Sequence, residues 1–115
     1  MKSYKKDVVL KNKCNLVLFH LMGQHSAAIE RFPHDKFTYF TVDSIKREAS
    51  YLGDTERKQK ADYDNATLYN DYVMNEIFDT FRNSNTILIY FSDHGEEVND
   101  YRKQYGRDNG TLCAN

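Results

Sequence analysis

One stretch decides our prediction of the fold: residues 87–97, with the sequence Ile-Leu-Ile-Tyr-Phe-Ser-Asp-His-Gly-Glu-Glu. The first five residues are all apolar or aromatic, which is typical of a strand buried on both faces inside a parallel sheet. Asp93 and His94 follow, and Gly95 permits the backbone to turn there. Open α/β sheets bind ligands at the carboxyl ends of their strands, and aspartate and histidine ligate zinc-type ions, so the stretch predicts a metal site. The alternative is that Asp93 and His94 are polar loop residues that cap the next helix.

A second apolar run, residues 15–22, predicts another buried strand, and Gly23 closes it. His25 follows the glycine, outside the strand, where packing does not require an imidazole. His20 lies inside the run, where a core histidine hydrogen-bonded to the backbone is an equally good interpretation. We therefore favour a functional role for His25 over His20.

The best helix signal spans residues 61–82, between the two predicted strands. Asp64 or Asn65 is the predicted N-cap, because both side chains can accept hydrogen bonds from the first backbone N–H groups. A shorter helix is predicted over residues 45–52, capped by Asp43 or Ser44. The apolar stripe of the long helix is formed by Leu68, Tyr72, Val73, Ile77 and Phe81.

A strand, a helix and a second strand form a βαβ unit, and the two strands of such a unit are parallel. Parallel strands would place His25 on the same carboxyl edge of the sheet as Asp93 and His94. Residues 99–110 are polar and interrupted by glycine, and they predict a loop with no further strand after it. Two strands are too few for a doubly wound domain, so we expect the chain to be a fragment of one.

Length and composition narrow the class of protein. The chain has 115 residues and a net charge of -1, which fits one domain and does not favour nucleic acid or an anionic membrane as a partner. No apolar run reaches the roughly 18 residues of a membrane helix, and we expect the chain as written to be soluble. Residues 8–10 are either an edge strand or the end of a helix. Cys14 and Cys113 are expected as free thiols, because they would lie at opposite edges of the sheet.

Four ordered blocks carry a resemblance to a known family. They are residues 20–25 (His-Leu-Met-Gly-Gln-His), 31–33 (Arg-Phe-Pro), 63–73 (Tyr-Asp-Asn-Ala-Thr-Leu-Tyr-Asn-Asp-Tyr-Val) and 90–97 (Tyr-Phe-Ser-Asp-His-Gly-Glu-Glu). In order and spacing they resemble the sulfatase-like catalytic domain of the bacterial phosphoethanolamine transferases, over about residues 15–110. The resemblance implies an alkaline-phosphatase-like α/β/α sandwich with a mainly parallel sheet. Residues 1–115 would be a partial domain, without the nucleophile-bearing N-terminal part and the membrane helices.

The resemblance also implies a function. Members of this family lie in the inner membrane, and their periplasmic zinc domain moves phosphoethanolamine from phosphatidylethanolamine to a lipopolysaccharide or glycan acceptor through a threonine nucleophile. By position, Asp93 and His94 match zinc ligands of the motif, and His25 matches the histidine that meets the transferred phosphate or a second zinc. Many members have a further histidine near the position of Arg107, which is our candidate phosphate contact there.

The chain also departs from the family pattern. No threonine occurs in the context of the family nucleophile, so we expect the isolated chain to bind zinc weakly and not to transfer phosphoethanolamine. One alternative is a sulfatase or phosphodiesterase of the same superfamily, although the formylglycine motif of sulfatases is not present. Another alternative is a non-catalytic module that forms oligomers through exposed strand edges.

Overall fold

A computed structural model describes residues 13–25 and 27–107. The regular elements in these ranges are the helix α1 (Asp54–Phe81), two 3₁₀ turns (Ala28–Glu30 and Val42–Ser44) and the antiparallel strands β1 (Glu97–Val98) and β2 (Tyr105–Gly106). No helix of the described part of the chain is long and apolar enough to cross a membrane. The patch at residues 8–10 and Cys113 lie outside the described residues, and Cys14 is a free, exposed cysteine.

The predicted long helix is confirmed, but its start is wrong. The helix α1 begins at Asp54, and Gly53 is its N-cap. A carboxylate oxygen of Glu56, in the first turn, accepts a hydrogen bond from the Gly53 N–H at 3.0 Å. Acidic side chains in a first turn also interact favourably with the helix dipole. Asp64 and Asn65, which we predicted as caps, therefore lie inside the helix.

The predicted helix over residues 45–52 is wrong. The chain there is irregular, and only the 3₁₀ turn Val42–Ser44 precedes it. One terminal nitrogen of the Arg57 guanidinium donates to the carbonyl oxygens of Val42 and Ile45, at 3.0 and 3.3 Å. The Ile45 carbonyl would accept a hydrogen bond within the predicted helix, and the Arg57 side chain of α1 donates to it instead.

A core forms where the segment around residues 28–40 packs on α1. Ala28, Phe32 and Ala66 are buried together, and Phe37 and Tyr69 pack against them with ring centroids 4.9 Å apart. Larger aromatic side chains thus enclose two small ones. This contact fixes the chain that follows His25 onto the middle of the helix.

Neither predicted strand is a strand in this structure, and the prediction that they are buried is wrong. Residues 15–22 and 87–91 have no regular secondary structure, and Leu16 and Ile87 are 95% and 89% exposed. A strand buried on both faces needs a neighbouring strand on each side and a layer over each face. Among the described residues, α1 is the only long element that packs against these two segments.

The two segments nevertheless run in the same direction along α1. Phe19 contacts Phe81 at the C-terminal end of the helix, with ring centroids 6.3 Å apart, and Gln24 bonds to Thr67 near its middle. The later segment leaves the end of the helix and reaches Asn70 at Tyr90. Both segments are therefore antiparallel to the helix, and their ends lie near the same turn of it.

A short hairpin replaces part of the loop predicted at residues 99–110, so that prediction is wrong at β2. Glu97 pairs with Gly106 and Val98 with Tyr105. The buried carboxylate of Glu97 accepts hydrogen bonds from the N–H groups of Asp100 and Tyr101, at 2.7 and 3.2 Å. These bonds satisfy the acceptor and close the turn of the hairpin. Residues 108–110 lie outside the described residues.

Side chains of α1 hold this hairpin in place. Lys60 donates to the Val98 carbonyl at 3.3 Å and also pairs with the Asp100 carboxylate. At the start of the helix, Lys103 pairs with the buried Glu56 at 2.6 Å. The chain after Asp93 and His94 is thereby tied to the first two turns of α1.

Candidate functional site

The first candidate residue, His25, lies in a tight turn at the end of its segment. Gly23 has a φ of 45°, a left-handed conformation that glycine adopts without a steric penalty. The His25 N–H donates to the Met22 carbonyl at 3.0 Å, and the Arg31 side chain donates to the His25 carbonyl at 3.4 Å. The histidine is exposed, as predicted for a residue outside the core. His20 is exposed as well, so the interpretation of His20 as a core histidine is wrong.

Asp93 and His94 lie together in the turn that follows the second segment. The Asp93 side chain is 88% exposed and that of His94 is 26% exposed, and Oδ2 of Asp93 lies 3.9 Å from Nε2 of His94. The Ser92 hydroxyl donates to the His94 carbonyl at 2.6 Å and closes the turn. Nδ1 of His94 lies 3.0 Å from the Gly95 carbonyl oxygen.

The arrangement of Asp93 and His94 fits a zinc ion. A carbonyl can only accept, so the contact with Gly95 places a ring proton on Nδ1, and in the neutral ring Nε2, which lies 3.9 Å from Oδ2 of Asp93, then carries the lone pair. Zinc-bound histidines usually donate their other ring N–H in this way, which fixes the ring orientation. Two ligands of a tetrahedral zinc lie roughly 3.3 Å apart, close to the 3.9 Å observed. The exposed Asp93 side chain would have to move closer to His94 for both to bind the same ion.

Two donors are an incomplete set, because a catalytic zinc usually has three protein ligands. The part of the chain that the structure describes contains no group of three histidine, cysteine or acidic side chains that could hold a metal ion. His25 therefore does not join Asp93 and His94 in such a group. Arg107 is exposed, at the end of the described residues beside β2.

Burial near the hairpin changes the acidity of two tyrosines. Burial raises the pKa of both Tyr63 and Tyr105, and the negative charge of Glu96 raises it further. The Tyr105 hydroxyl accepts a hydrogen bond from the Ala28 N–H at 3.3 Å. Tyr105 thus connects β2, the second strand of the hairpin, to the 3₁₀ turn that begins at Ala28. It stays a neutral phenol at neutral pH and can act as a hydrogen-bond partner.

Sequence reasoning missed the polar side chains of α1 that hold the candidate site. Asn65 is 1% exposed, and its amide group makes three hydrogen bonds with the backbone of Tyr39 and Phe40. Asn70 donates to the Tyr90 hydroxyl at 2.9 Å. Asn70 is not a member of the predicted apolar stripe, and an apolar pattern predicts no partner for a polar residue.

A row of residues along α1 that differs from the predicted apolar stripe includes Asn70. Residues separated alternately by four and three positions lie in one row along a helix. Three members of one such row, Thr67, Asn70 and Phe81, contact the two candidate segments. We call this row the segment-facing row, and it consists of Tyr63, Thr67, Asn70, Met74, Ile77 and Phe81.

Comparison with known proteins places the chain in a family. The family model described as Sulfatase matches residues 7–112. Phosphoethanolamine transferase EptC of Escherichia coli (strain K12) is 38% identical over 87 residues, which are 74% of this chain and 15% of that protein. Kdo(2)-lipid A phosphoethanolamine 7''-transferase of Salmonella typhimurium is 27% identical over 92 residues, 80% of this chain and 16% of that protein.

A third relative, phosphoethanolamine transferase EptA of Helicobacter pylori, is 28% identical over 102 residues, 84% of this chain and 19% of that protein. The chain thus spans between 15% and 19% of the length of these relatives. No solved structure matches the chain. The resemblance to the phosphoethanolamine transferases is confirmed, and the chain belongs to the Sulfatase family, whose fold is the alkaline-phosphatase-like α/β fold.

Proposed function

We propose that this chain forms the metal-binding edge of a phosphoethanolamine transferase catalytic domain. Asp93 and His94 would hold zinc, while His25 and Arg107 would contact the phosphate of the substrate. The observation that carries this proposal is the hydrogen bond from His94 Nδ1 to the Gly95 carbonyl, which presents Nε2 beside the Asp93 carboxylate. The similarity to three transferases supports this reaction over the hydrolysis of a sulfate ester or phosphodiester.

In the complete domain, we propose that residues 15–22 and 87–91 are neighbouring strands of a mainly parallel sheet. Their common direction along α1 supports this arrangement, as do their exposed apolar side chains. Strands from the remainder of the domain would cover those side chains. The nucleophile and a further metal ligand would come from the same remainder.

The residues of this chain would each have a separate role. Zinc, when bound, would lower the pKa of a hydroxyl nucleophile and neutralise charge on the phosphoryl oxygens. The His25 imidazole would donate a hydrogen bond to one of those oxygens, and the planar guanidinium of Arg107 would bind two. Together they stabilise the charge that develops as phosphoethanolamine leaves phosphatidylethanolamine for a lipopolysaccharide or glycan acceptor.

We also propose that the full-length protein acts at the inner membrane, on the periplasmic side. The support is the similarity to transferases, one of which is named for Kdo(2)-lipid A. The isolated chain is expected not to transfer phosphoethanolamine.

Zinc titration by calorimetry tests the metal site. We expect weak binding, micromolar or weaker, because two protein donors are present, and Asp93→Ala should abolish it. Asp71→Ala removes an exposed carboxylate from α1 and serves as the control, with unchanged affinity. Nanomolar affinity would show that the site is more complete than we propose. Zinc binding that survives Asp93→Ala would contradict the assignment.

One observation favours a second candidate function, a non-catalytic module that pairs with another chain. The exposed apolar side chains of the two segments would favour association: Leu16, Leu18, Ile87, Ile89 and Phe91. Size-exclusion chromatography separates the two candidates, since a module of this kind should elute as an oligomer. Elution as a monomer at high concentration would count against it.

A further inference from the structure

A single side chain of α1 lies between the ends of both candidate segments. Nδ2 of Asn70 donates to the Tyr90 hydroxyl at 2.9 Å. Oδ1 of the same amide group lies close to Gly23, 3.5 Å from the position that a Cβ atom would occupy there. Tyr90 precedes Asp93 by three residues and Gly23 precedes His25 by two. One planar amide group therefore bonds to the segment before Asp93 and lies close to the chain before His25.

The neighbouring turn of α1 fixes the same end of the first segment. The Thr67 hydroxyl accepts a hydrogen bond from Nε2 of Gln24 at 2.8 Å and donates to the Tyr63 carbonyl at 2.9 Å. Because the Thr67 hydroxyl both accepts and donates a hydrogen bond, its orientation is defined. Gln24 directly precedes His25, so the histidine turn is held at two successive points along the helix.

The segment-facing row changes in character at this position. Its C-terminal members, Met74, Ile77 and Phe81, are apolar, and Met74 and Ile77 are buried. Its members from Asn70 toward the N-terminus carry hydrogen-bonding groups. Apolar contacts fix the distance between two elements but permit sliding, whereas hydrogen bonds also fix direction and register. The change occurs where the apolar parts of the two segments end.

We propose that Asn70 is a positioning residue that sets the spacing between the His25 turn and the Asp93–His94 pair. The proposal deepens the proposed function and rests on it for the chemical meaning of that spacing. Asn70 would act through Tyr90 and Gly23 and would not touch the metal or the substrate. A residue that only filled space at this position could be replaced by an apolar side chain of similar size.

The variants Asn70→Leu and Asn70→Asp separate positioning from packing. Leucine has a similar volume but cannot bond to Tyr90. Aspartate keeps the shape and can accept a hydrogen bond from the Tyr90 hydroxyl, so it should restore the contact. Asn75→Leu is the matched control, because Asn75 is an exposed asparagine on the same helix.

Two readouts are needed, and the first does not depend on metal. In amide NMR spectra without zinc, we expect Asn70→Leu to shift the signals of residues 22–25 and also those of residues 92–95, while Asn75→Leu shifts neither. In calorimetric titration with zinc alone, we expect Asn70→Leu to weaken binding about five-fold or more, and Asn70→Asp to stay within about two-fold of the unchanged chain.

The outcomes distinguish the two proposals. Signal shifts confined to one turn, or a zinc affinity unchanged by Asn70→Leu, would overturn the role of Asn70. If the unchanged chain does not bind zinc, the proposed metal site fails, and the NMR comparison still decides whether Asn70 couples the two turns. If Asn70→Leu does not fold, Tyr90→Phe removes the hydroxyl alone and should shift the signals of the same two turns.

Discussion

The buried amide group of Asn65 offers the sharpest test of how this chain is held together. Its Oδ1 accepts hydrogen bonds from the N–H groups of Tyr39 and Phe40, at 2.8 and 2.9 Å. Its Nδ2 donates to the Phe40 carbonyl at 2.9 Å. The side chain therefore binds an extended backbone much as a neighbouring strand would. Substitution by alanine removes all three bonds and leaves three backbone groups without their partners.

The magnitude of Asn65→Ala follows from these three bonds. Each hydrogen bond contributes about 0.5–1.5 kcal/mol net, so the loss is roughly 3 kcal/mol. The side chains of Tyr39 and Phe40 are exposed, and water can reach part of this backbone, which places the cost below that of fully buried groups. Alanine returns about 0.5 kcal/mol through its higher helix propensity. We expect a net loss of roughly 2–3 kcal/mol in the free energy of unfolding.

Urea unfolding followed by circular dichroism at the helix band measures this change. The matched control is Asn75→Ala, which replaces an exposed asparagine of α1 and should stabilise the chain by about 0.5 kcal/mol through propensity alone. Asn65→Asp should give an intermediate loss, because it keeps the two acceptor bonds but places a second acceptor against the Phe40 carbonyl. A loss under about 0.5 kcal/mol for Asn65→Ala would refute the reasoning.

Three further predictions concern charge, a tyrosine and a glycine. The hydrogen bond from Lys103 lowers the pKa of Glu56 below its usual 4.5. The free energy of unfolding that this pair contributes should therefore be present above pH 4.5 and be lost as the pH falls through the lowered pKa. Glu56→Gln should flatten this pH dependence in urea unfolding between pH 3 and 7. Burial raises the pKa of Tyr105 above its usual 10.0, so the stability that the neutral phenol contributes should be lost as the pH rises through the raised pKa. Tyr105→Phe should therefore reduce the loss of stability at alkaline pH, measured by thermal unfolding. Gly23→Ala should lower the free energy of unfolding by about 1 kcal/mol in urea, because φ is 45° at this position. Gly95→Ala is the control and should cost less than half of that, because Gly95 has no positive φ and open space surrounds the new Cβ. Equal costs would contradict the conformational explanation.

The sequence predicted the helix well and its start badly, because contacts with distant parts of the chain help to secure the start. Apolar residues at helical spacing identify residues 61–82, where periodicity extends over several turns. The preceding residues of α1 are mostly charged, so the apolar pattern does not extend over them. Their helix is secured by Glu56 at Gly53 and by contacts with the hairpin through Lys60 and Lys103. Contacts across 38 or more residues are not visible in a local pattern.

The predicted strands show what an apolar pattern does and does not encode. Residues 15–22 and 87–91 carry side chains suited to burial. The turn after the first run occurs at Gly23, as predicted, whereas the bend after the second run lies at Asp93 and His94, and Gly95 has no positive φ. Burial also requires partners on both faces of each strand. The described residues cover only the side toward α1, so the bodies of both segments remain exposed.

The sequence by itself determined the family, the long helix and the polar turns that carry His25, Asp93 and His94. Those features depend on residue type and spacing within short stretches, which can be read along the chain. Only the tertiary structure decided that His94 presents Nε2 toward Asp93, that Asn65 binds the backbone at Tyr39 and Phe40, and that a hairpin follows the candidate site. Hydrogen bonds are directional and short, so their partners are fixed by the path of the chain through space.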